Sequence, residues 1–205
     1  MLTLFHAPKS RSSRILFLME ELGEPYELVQ VGIRRGDGSG EADQRDPHPD
    51  KKVPALIHDG LLVTESAAIC LYLTDAFPGA ELGPQVGDPL RGAYLTWLSY
   101  FPGVVEPLFM AKATGWTGYS PRQAAWGEFD AMAARMLGAI KPGPYVLGEK
   151  FSTVDALMLS SLMFADKILP PDPAIGEYRD RIMARPAFQR AMAKDETANG
   201  MQAPA

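Results

Sequence analysis

The sequence predicts an α/β domain followed by an all-helical domain. Residues 1–78 alternate between strand and helix signals, whereas residues 88–195 carry helix signals almost exclusively. The segment between them is dense in proline and glycine, which continue neither periodicity. We therefore expect a first domain over residues 1–78, a linker over 79–88 and a helical domain over 89–205.

Composition and charge exclude several classes of function. The chain has 205 residues, of which 46% are hydrophobic, enough for one large core or two modest ones. A net charge of -5 argues against a surface that neutralises phosphate groups. No segment approaches the roughly 20 apolar residues that cross a bilayer, and the N-terminus lacks the order of a secretory signal. From these observations we expect no nucleic-acid and no membrane partner. Because Cys70 is the only cysteine, we also expect no internal disulfide and a cytoplasmic protein.

A parallel β-α-β unit opens the first domain. Leu2 to His6 is short and apolar, as expected of a buried strand. Ile15 to Leu22 places apolar residues at helical spacing, and Gly23 stands where a helix end favours a left-handed residue. Tyr26 to Val31 forms a second strand, and its return to the sheet implies a right-handed crossover.

A hairpin and a helix complete the first domain. Residues 33–52 are polar and broken by Gly and Pro, which indicates an exposed loop with at most a short helix. Pro54 to His58 and Leu61 to Val63 flank Asp59-Gly60, a pair that favours a tight hairpin turn. A last helix covers Glu65 to Phe77.

The helical domain begins after Asp88-Pro89, where Asp can cap a helix and Pro fits its first turn. Pro102-Gly103 and Pro107 must kink or interrupt this helix. Ser120-Pro121 begins another helix in the same way.

A capping signal marks the next helix. Ser152 follows an apolar residue and precedes Asp155 by three positions, the spacing of a capping box. We expect a long apolar helix from there to Leu169. Two short helices over residues 174–184 and 186–193 follow.

Two motifs and the order of the elements carry a resemblance to a known family. The first motif is Val53-Pro54-Ala55-Leu56, and the second is Thr64-Glu65-Ser66-Ala67-Ala68-Ile69. With these motifs, their spacing and the capping signal, the chain resembles the glutathione S-transferase family over nearly its whole length. The resemblance implies a thioredoxin-like N-terminal domain that binds glutathione and an all-α C-terminal domain that binds an apolar partner substrate. It also implies a homodimer, a role in detoxification, and glutathione as co-substrate with no metal.

The resemblance assigns glutathione binding to Val53, Pro54, Glu65 and Ser66. The family keeps a cis-proline at the position of Pro54, and a cis bond would leave the N–H and C=O of Val53 free for the cysteinyl part of glutathione. The alternative is a trans proline that begins an edge strand. Ser66 N–H and Oγ would bind the γ-glutamyl carboxylate at a helix N-terminus, and Glu65 the ammonium group. Alternatively, Thr64 only caps that helix.

Lys52 is the candidate partner of the glycyl carboxylate. The family commonly has Gly followed by Lys, Arg or Gln here, whereas this chain has Lys51 and Lys52, so its loop departs from the pattern at Lys51. The ordinary alternative is a solvated pair of lysines.

The catalytic hydroxyl is expected at the N-terminus of the first helix, within Ser10-Arg11-Ser12-Ser13-Arg14. Theta-like members have a serine that donates a hydrogen bond to the glutathione thiolate, and Ser10 stands at that position. Ser12 is the second candidate, and one of these serines could instead only cap the helix. No tyrosine lies near the end of the first strand, and Arg11 stands where beta-like members have cysteine, so neither of those mechanisms fits.

Apolar side chains of the helical domain form the candidate site for the second substrate. Tyr100, Phe101, Phe109 and Met110, with Trp116, lie on or after the helix expected to face the glutathione cleft. Most such residues are ordinary core, so we expect only one or two to contact substrate.

The chemistry expected from the resemblance is attack by the glutathione thiolate on a small hydrophobic electrophile. A glutathione-dependent isomerase, dehalogenase or ether-cleaving enzyme would use the same glutathione site, and a non-catalytic binding protein would keep the fold alone. His6, His48 and His58 have no ligand-like spacing, so no metal site is expected.

Overall fold

The computed structural model describes residues 1–164 and 168–200, with side chains through residue 196. Contacts divide the chain into two compact units. Unit 1 comprises Met1–Ala80 with Arg185–Ala205, and unit 2 comprises Glu81–Ala184. The domain limits derived from the sequence stay a prediction, and the structure adds that the C-terminal segment groups with unit 1.

Four strands form the sheet of unit 1 in the order β2-β1-β3-β4. They are β1 (Leu2–His6), β2 (Tyr26–Gln30), β3 (Ala55–His58) and β4 (Leu61–Thr64). β2 runs parallel to β1, whereas β3 is antiparallel to both β1 and β4, so the predicted parallel pair and hairpin are confirmed. Asp59 and Gly60 have φ angles of 48° and 86°, as a two-residue hairpin turn with both central residues at positive φ requires.

The strand registers bring three chain segments to one edge of the sheet. Phe5 pairs with Ala55, and Ala55 pairs with Thr64 on its other side. β1 and β4 therefore end where β3 begins, and we call this the upper edge. Because β2 is parallel to β1, the connection from β2 to β3 also starts there.

The helices are numbered in chain order. They are α1 (Ser12–Leu22), α2 (Ser66–Ala76), α3 (Arg91–Tyr100), α4 (Glu106–Thr114), α5 (Phe129–Ile140), α6 (Thr153–Phe164), α7 (Pro173–Met183) and α8 (Pro186–Gly200). α1, α2 and α8 belong to unit 1, and the others belong to unit 2. Together with the sheet, they give the predicted thioredoxin-like domain and a helical domain.

α1 is a central element of the core of unit 1. Ile15 and Met19 are fully buried, and the helix ends at Gly23, which has a φ of 73° and donates its N–H to the Met19 carbonyl. α8 packs on α1, where the rings of Phe17 and Phe188 meet edge to face with centroids 5.4 Å apart. The last helix thus packs against the first one.

Proline and a capping box shape unit 2. Pro102 and Pro107 lack the backbone donor that an α-helix needs, and a π-helix over Phe101–Val105 separates α3 from α4, as the predicted interruption requires. At the start of α6, Ser152 N–H donates to Asp155 Oδ2 at 2.8 Å, and Asp155 N–H donates to the Ser152 carbonyl at 3.0 Å. The half of the predicted capping box that runs from the Ser152 N–H to the Asp155 carboxylate is therefore confirmed, whereas Ser152 Oγ donates to Asp155 Oδ2 at 3.1 Å instead of accepting the Asp155 N–H.

The helix predicted to begin at Ser120-Pro121 is wrong. The chain makes turns there, in one of which the Ala124 N–H donates to the Ser120 carbonyl at 2.8 Å. Gly127 follows with a φ of 69°, which an α-helix does not accommodate, and α5 begins only at Phe129. The start signal was present, but the residues after it do not continue a helix.

The predicted apolar helix was expected to reach Leu169. α6 runs from Thr153 to Phe164, residues 165–167 lie outside the described residues, and Ile168 and Leu169 form a turn and a bend. Among the helices that the structure describes, none has the length and apolar character needed to span a membrane.

Candidate functional site

The residues predicted to hold a peptide ligand meet at the upper edge of the sheet. Ser10 and Ser12 follow β1, Val53 precedes β3, and Glu65 and Ser66 follow β4. Because β1 and β4 end where β3 begins, the sheet itself gathers these segments. Residues from separate parts of the sequence therefore form one candidate site within unit 1.

Val53 offers free backbone groups at this edge. The Val53–Pro54 peptide bond is cis, as predicted. β3 begins at Ala55, so Val53 lies outside the ladder, and its peptide groups bond to no other residue in the described part of the chain. An extended ligand could pair with both groups in the manner of an added strand.

The N-terminus of α2 has no side-chain cap, so the alternative role of Thr64 as a cap is wrong. Glu65 precedes the helix with a φ of 67° and a ψ of 122°, a conformation that costs a non-glycine residue about 1–3 kcal/mol and recurs at binding sites. Ser66, the first helical residue, is half-buried, and neither its N–H nor its hydroxyl has a hydrogen-bond partner among the described residues. The open amides and the positive end of the helix dipole suit a carboxylate.

The two lysines before Val53 have different environments. Lys51 is half-buried, and its Nζ donates to the Asp46 carbonyl at 2.7 Å and to the Gln44 carbonyl at 3.4 Å. Lys52 is exposed, and no partner of its ammonium group occurs among the residues that the structure describes. Lys52 is therefore the lysine available to an anionic ligand, whereas Lys51 ties its own loop together.

Ser10 is half-buried and sits in a web of hydrogen bonds. Its Oγ donates to the Ala7 carbonyl at 2.7 Å, accepts the Ser12 N–H at 3.1 Å, and lies 2.8 Å from Ser12 Oγ. A thiolate that reaches Ser10 must compete with the Ala7 carbonyl for the hydroxyl proton. Ser10 has the exposure expected of a ligand-facing donor.

Ser12, the second candidate, is fully buried. Its Oγ accepts the Ala7 N–H at 3.1 Å and lies 2.8 Å from His6 Nδ1. In this conformation a ligand cannot touch Ser12, because His6, Ala7 and Ser10 surround its hydroxyl. Ser12 instead links Ser10 to the interior.

A carboxylate from α8 completes the cluster. Asp195 Oδ1 lies 3.2 Å from His6 Nε2, although the angle is not that of a hydrogen bond, and it accepts the Ser13 hydroxyl at 2.6 Å. Asp195 Oδ2 accepts the Lys9 N–H at 3.1 Å. Burial raises the pKa of Asp195, but the interactions with His6, Ser13 and Lys9 outweigh it and hold that pKa below the usual value. Asp195 is therefore ionised at neutral pH.

Sequence reasoning did not identify His6 or Asp195 as site residues. His6 is the last residue of β1 and precedes Ser12 by six positions, a local signal that could have found it. No local signal marks Asp195, which is 182 residues from Ser13. Among the described residues, no group of three or more His, Cys, Asp and Glu side chains could hold a metal ion.

The five predicted substrate residues of unit 2 differ in exposure. Phe101 and Phe109 are 1% and 2% exposed and belong to the core, so their role as ligand contacts is not favoured. Tyr100 is half-buried, and Met110 and Trp116 are 44% and 48% exposed, which leaves these three with accessible surface. The sequence did not point to Arg135, whose guanidinium lies 3.9 Å from the centroid of the Tyr100 ring.

Comparisons with known proteins found matches along nearly the whole chain. The family model described as the glutathione S-transferase N-terminal domain matches residues 1–75. Glutathione S-transferase GstA of Escherichia coli O157:H7 is 26% identical over 94% of this chain and 98% of that protein. Maleylacetoacetate isomerase of Rattus norvegicus is 27% identical over 88% of this chain and 86% of that protein. The structure of a sphingomonad glutathione S-transferase complexed with glutathione has a TM-score of 0.75 and 27% identity, over 95% of this chain and 98% of that one.

Proposed function

The chain belongs to the glutathione S-transferase family, and we propose that it binds glutathione at the upper edge and activates the thiol for attack on a small hydrophobic electrophile. The observation that supports this most is the register through Phe5, Ala55 and Thr64, which gathers the three predicted segments. The sphingomonad relative is a complex with glutathione, and it shares the fold of this chain.

The groups at the upper edge match those of the tripeptide. Val53 would pair its backbone with the cysteinyl residue of glutathione, and Ser66 would bind the γ-glutamyl carboxylate through its N–H and Oγ. Glu65 would accept the ammonium group, and Lys52 would pair with the glycyl carboxylate. Each ligand charge then has an opposite charge or a donor.

Ser10 would activate the thiol. Its hydroxyl lies beside the N-terminus of α1, where the helix dipole favours a negative charge. A hydrogen bond from Ser10 Oγ to sulfur would stabilise the thiolate and so raise the fraction of glutathione that is nucleophilic near neutral pH. Ser10 acts as a donor in this mechanism and forms no covalent bond with substrate.

The second substrate would contact unit 2. Tyr100 and Met110 have exposed apolar surface, and methionine adapts to ligands of different shape. Neither provides a charge, so a small hydrophobic electrophile fits them best.

A glutathione-dependent isomerase is the second candidate, because the rat isomerase is as similar to this chain as the transferase GstA is. Thiolate addition, bond rotation and elimination would return glutathione unchanged, whereas a transferase consumes it. Titration of free thiol during turnover separates the two reactions. A dehalogenase or ether-cleaving enzyme would also consume glutathione, and release of halide from a haloalkane or of phenol from an aryl ether identifies it.

The family also suggests a cytoplasmic homodimer that acts in detoxification. Sedimentation equilibrium is expected to give about twice the chain mass of 22.3 kDa. A monomer at micromolar concentration would contradict the dimer and leave the glutathione site unaffected.

Retention on immobilised glutathione, calorimetric titration and conjugation of chlorodinitrobenzene test the proposal. The wild type should bind glutathione and consume it. Ser66→Ala and Glu65→Gln each remove a partner of a charged ligand group, so the glutathione Kd should rise about tenfold or more. Ser99→Ala, on the exposed face of α3, is the matched control and should bind as the wild type does.

Three outcomes have distinct meanings. If the wild type does not bind glutathione at millimolar concentration, the proposal is wrong. Binding without turnover of any electrophile supports the non-catalytic alternative. Binding that is unchanged in both Ser66→Ala and Glu65→Gln would contradict the site at the upper edge.

A further inference from the structure

A continuous chain of polar side chains runs from Ser10 into the interior of unit 1. Ser10 Oγ lies 2.8 Å from Ser12 Oγ, and Ser12 Oγ lies 2.8 Å from His6 Nδ1. His6 Nε2 lies 3.2 Å from Asp195 Oδ1. Ser12 and His6 are fully buried and Asp195 is 5% exposed, so Ser10 is the member of this chain that meets solvent.

We propose that Ser10 and the buried side chains of Ser12, His6 and Asp195 form a proton relay, which takes the thiol proton of bound glutathione from Ser10 to His6. The inference rests on the proposed function, because Ser10 must be the residue that meets the thiol. His6, Ser12 and Asp195 touch no substrate and act as positioning residues through Ser10. We call the four side chains the relay.

Hydrogen-bond capacity sets the direction of the relay before the thiol ionises. The ionised Asp195 faces His6 Nε2, which favours the tautomer with a proton on Nε2 and leaves Nδ1 as an acceptor. Ser12 Oγ then donates to His6 Nδ1 and accepts the Ala7 N–H. Ser10 Oγ has a single proton, and in the relay it turns that proton from the Ala7 carbonyl to Ser12 Oγ. Ser10 Oγ already accepts the Ser12 N–H and retains a lone pair for an incoming thiol proton.

The relay step moves three protons and no electrons. The thiol S–H bond breaks as Ser10 Oγ gains that proton, Ser10 passes its own proton to Ser12 Oγ, and Ser12 passes its proton to His6 Nδ1. The products are a thiolate and an imidazolium beside the Asp195 carboxylate. Each hydroxyl has reversed, so Ser12 now donates to Ser10, and Ser10 donates to the thiolate.

The charges around His6 favour the transfer of the proton to its ring. Asp195 on α8 is the ionised side chain that the structure pairs with His6. Lys9 contributes its backbone N–H to Asp195, and Arg14 on α1 points its Nε to the Arg11 carbonyl at 3.2 Å. Serine, histidine and aspartate also occur together in hydrolases, but the burial of Ser12 excludes a nucleophilic role here.

Two measurements on the full-length protein test the relay. Calorimetry of glutathione binding in buffers of different ionisation enthalpy gives the protons released, and the ultraviolet absorbance of the thiolate gives the thiolate formed. In the wild type near neutral pH, about zero protons should leave per thiolate, because His6 keeps the proton. In His6→Gln and Asp195→Asn, thiolate formation should release about one proton, and the bound thiol pKa should rise by about one unit.

Lys194→Gln is the matched control on α8. It removes an ion pair between Lys194 and Glu20 at the same helix contact and leaves the relay intact. This variant should lose some stability and keep the wild-type ratio of protons to thiolate. If Asp195 had only a structural role, Asp195→Asn and Lys194→Gln would change the ratio of protons to thiolate in the same way.

The outcomes distinguish the relay from the proposed function. About one proton per thiolate in the wild type, or about zero in His6→Gln, would overturn the relay while leaving glutathione binding intact. Absence of glutathione binding by the wild type would contradict the proposed function itself. If Asp195→Asn does not fold, His6→Gln and Ser12→Ala give the same test, because each breaks the chain at a different link.

Discussion

Ser10 and Ser13 are both half-buried at the start of α1, but their hydroxyl groups are used differently. Ser13 Oγ donates to Asp195 at 2.6 Å, whereas Ser10 Oγ donates to a backbone carbonyl that a ligand can replace. Ser10 is therefore the donor that can turn to a thiolate without breaking a bond to a carboxylate.

Ser10→Ala should lower kcat/KM for conjugation about 100-fold, the typical effect of removing one donor to a developing or stabilised anion. The glutathione KM should change little, because in the proposed site Val53, Glu65 and Ser66 would still hold the peptide. Ser10→Thr retains a hydroxyl and should recover much of the rate. Steady-state kinetics with chlorodinitrobenzene measure both constants, and full activity in Ser10→Ala with loss of activity in Ser12→Ala would refute the assignment.

Lys52→Met should raise the glutathione Kd about two- to fivefold, because an exposed ion pair contributes little. The effect should shrink at high salt, where exposed charges are screened. Lys51→Met should instead destabilise the loop, since its Nζ bonds to the Asp46 carbonyl. Titrations at low and high salt measure the glutathione Kd of Lys52→Met. An equal increase in Kd at both salt concentrations would argue against a charge interaction.

Local motifs pointed to some residues of the candidate site, and distance in sequence concealed others. Val53 and Ser66 were predictable because short motifs specify their backbone conformation and position. The partners of His6 could not be read in this way, because Asp195 comes from the far end of the chain. A contact across 182 residues, such as that between Ser13 and Asp195, leaves no periodicity or spacing in the sequence.

At the scale of elements, Asp155 fixes the start of α6. Its carboxylate accepts the Ser152 N–H at 2.8 Å, the Val146 N–H at 2.8 Å and the Tyr178 hydroxyl at 2.7 Å. It is fully buried, so loss of the carboxylate would leave several donors without a partner.

Asp155→Ala should lower the free energy of unfolding by about 3 kcal/mol, since it removes a helix cap and buried hydrogen bonds together. Tyr178→Phe removes one of those bonds and should cost about 1 kcal/mol. Urea denaturation of both variants measures the difference. Equal losses of unfolding free energy in Asp155→Ala and Tyr178→Phe would show that the cap formed by Asp155 at the start of α6 contributes no stability.

The region before α5 shows why a start signal alone does not predict a helix. Ser120-Pro121 has the chemistry of a helix N-terminus, but the aromatic rings nearby pack on one another. Trp116 and Tyr119 have centroids 5.5 Å apart, and Tyr119 and Trp126 have centroids 5.6 Å apart. Their mutual packing and Gly127 replace the periodic contacts that would have continued the helix.

At the scale of the whole molecule, the first and last elements of the described chain, β1 and α8, both lie in unit 1. Two acidic residues of α1 hold α8 and the residue before it: Glu20 pairs with Arg190 at 2.9 Å and with Lys194, and Glu21 pairs with Arg185 at 2.5 Å. The sequence predicted that α8 is a helix but not which unit it joins, because helical periodicity shows which face is apolar and not what covers it.

Glu20 makes this contact dependent on pH. Its side chain is 7% exposed. Burial raises the pKa of Glu20, but bonds from Lys194, Tyr26 and Arg190 outweigh it and lower that pKa below 4.5. A depressed pKa in the folded state means that the ionised form stabilises the fold above the unfolded-state pKa. This stabilisation is lost as pH falls through the folded-state pKa.

Glu20→Gln should therefore lower the free energy of unfolding by about 1–2 kcal/mol at neutral pH. This value is below the range for a fully buried ion pair, because the partners Arg190 and Lys194 are half-exposed. The difference from the wild type should vanish in acid, where wild-type Glu20 is itself protonated. Glu27→Gln, on the exposed face of β2, is the control and should change stability little at any pH. Urea denaturation at several pH values measures the difference, and a constant difference would mean that Glu20 holds α8 by packing and not by charge.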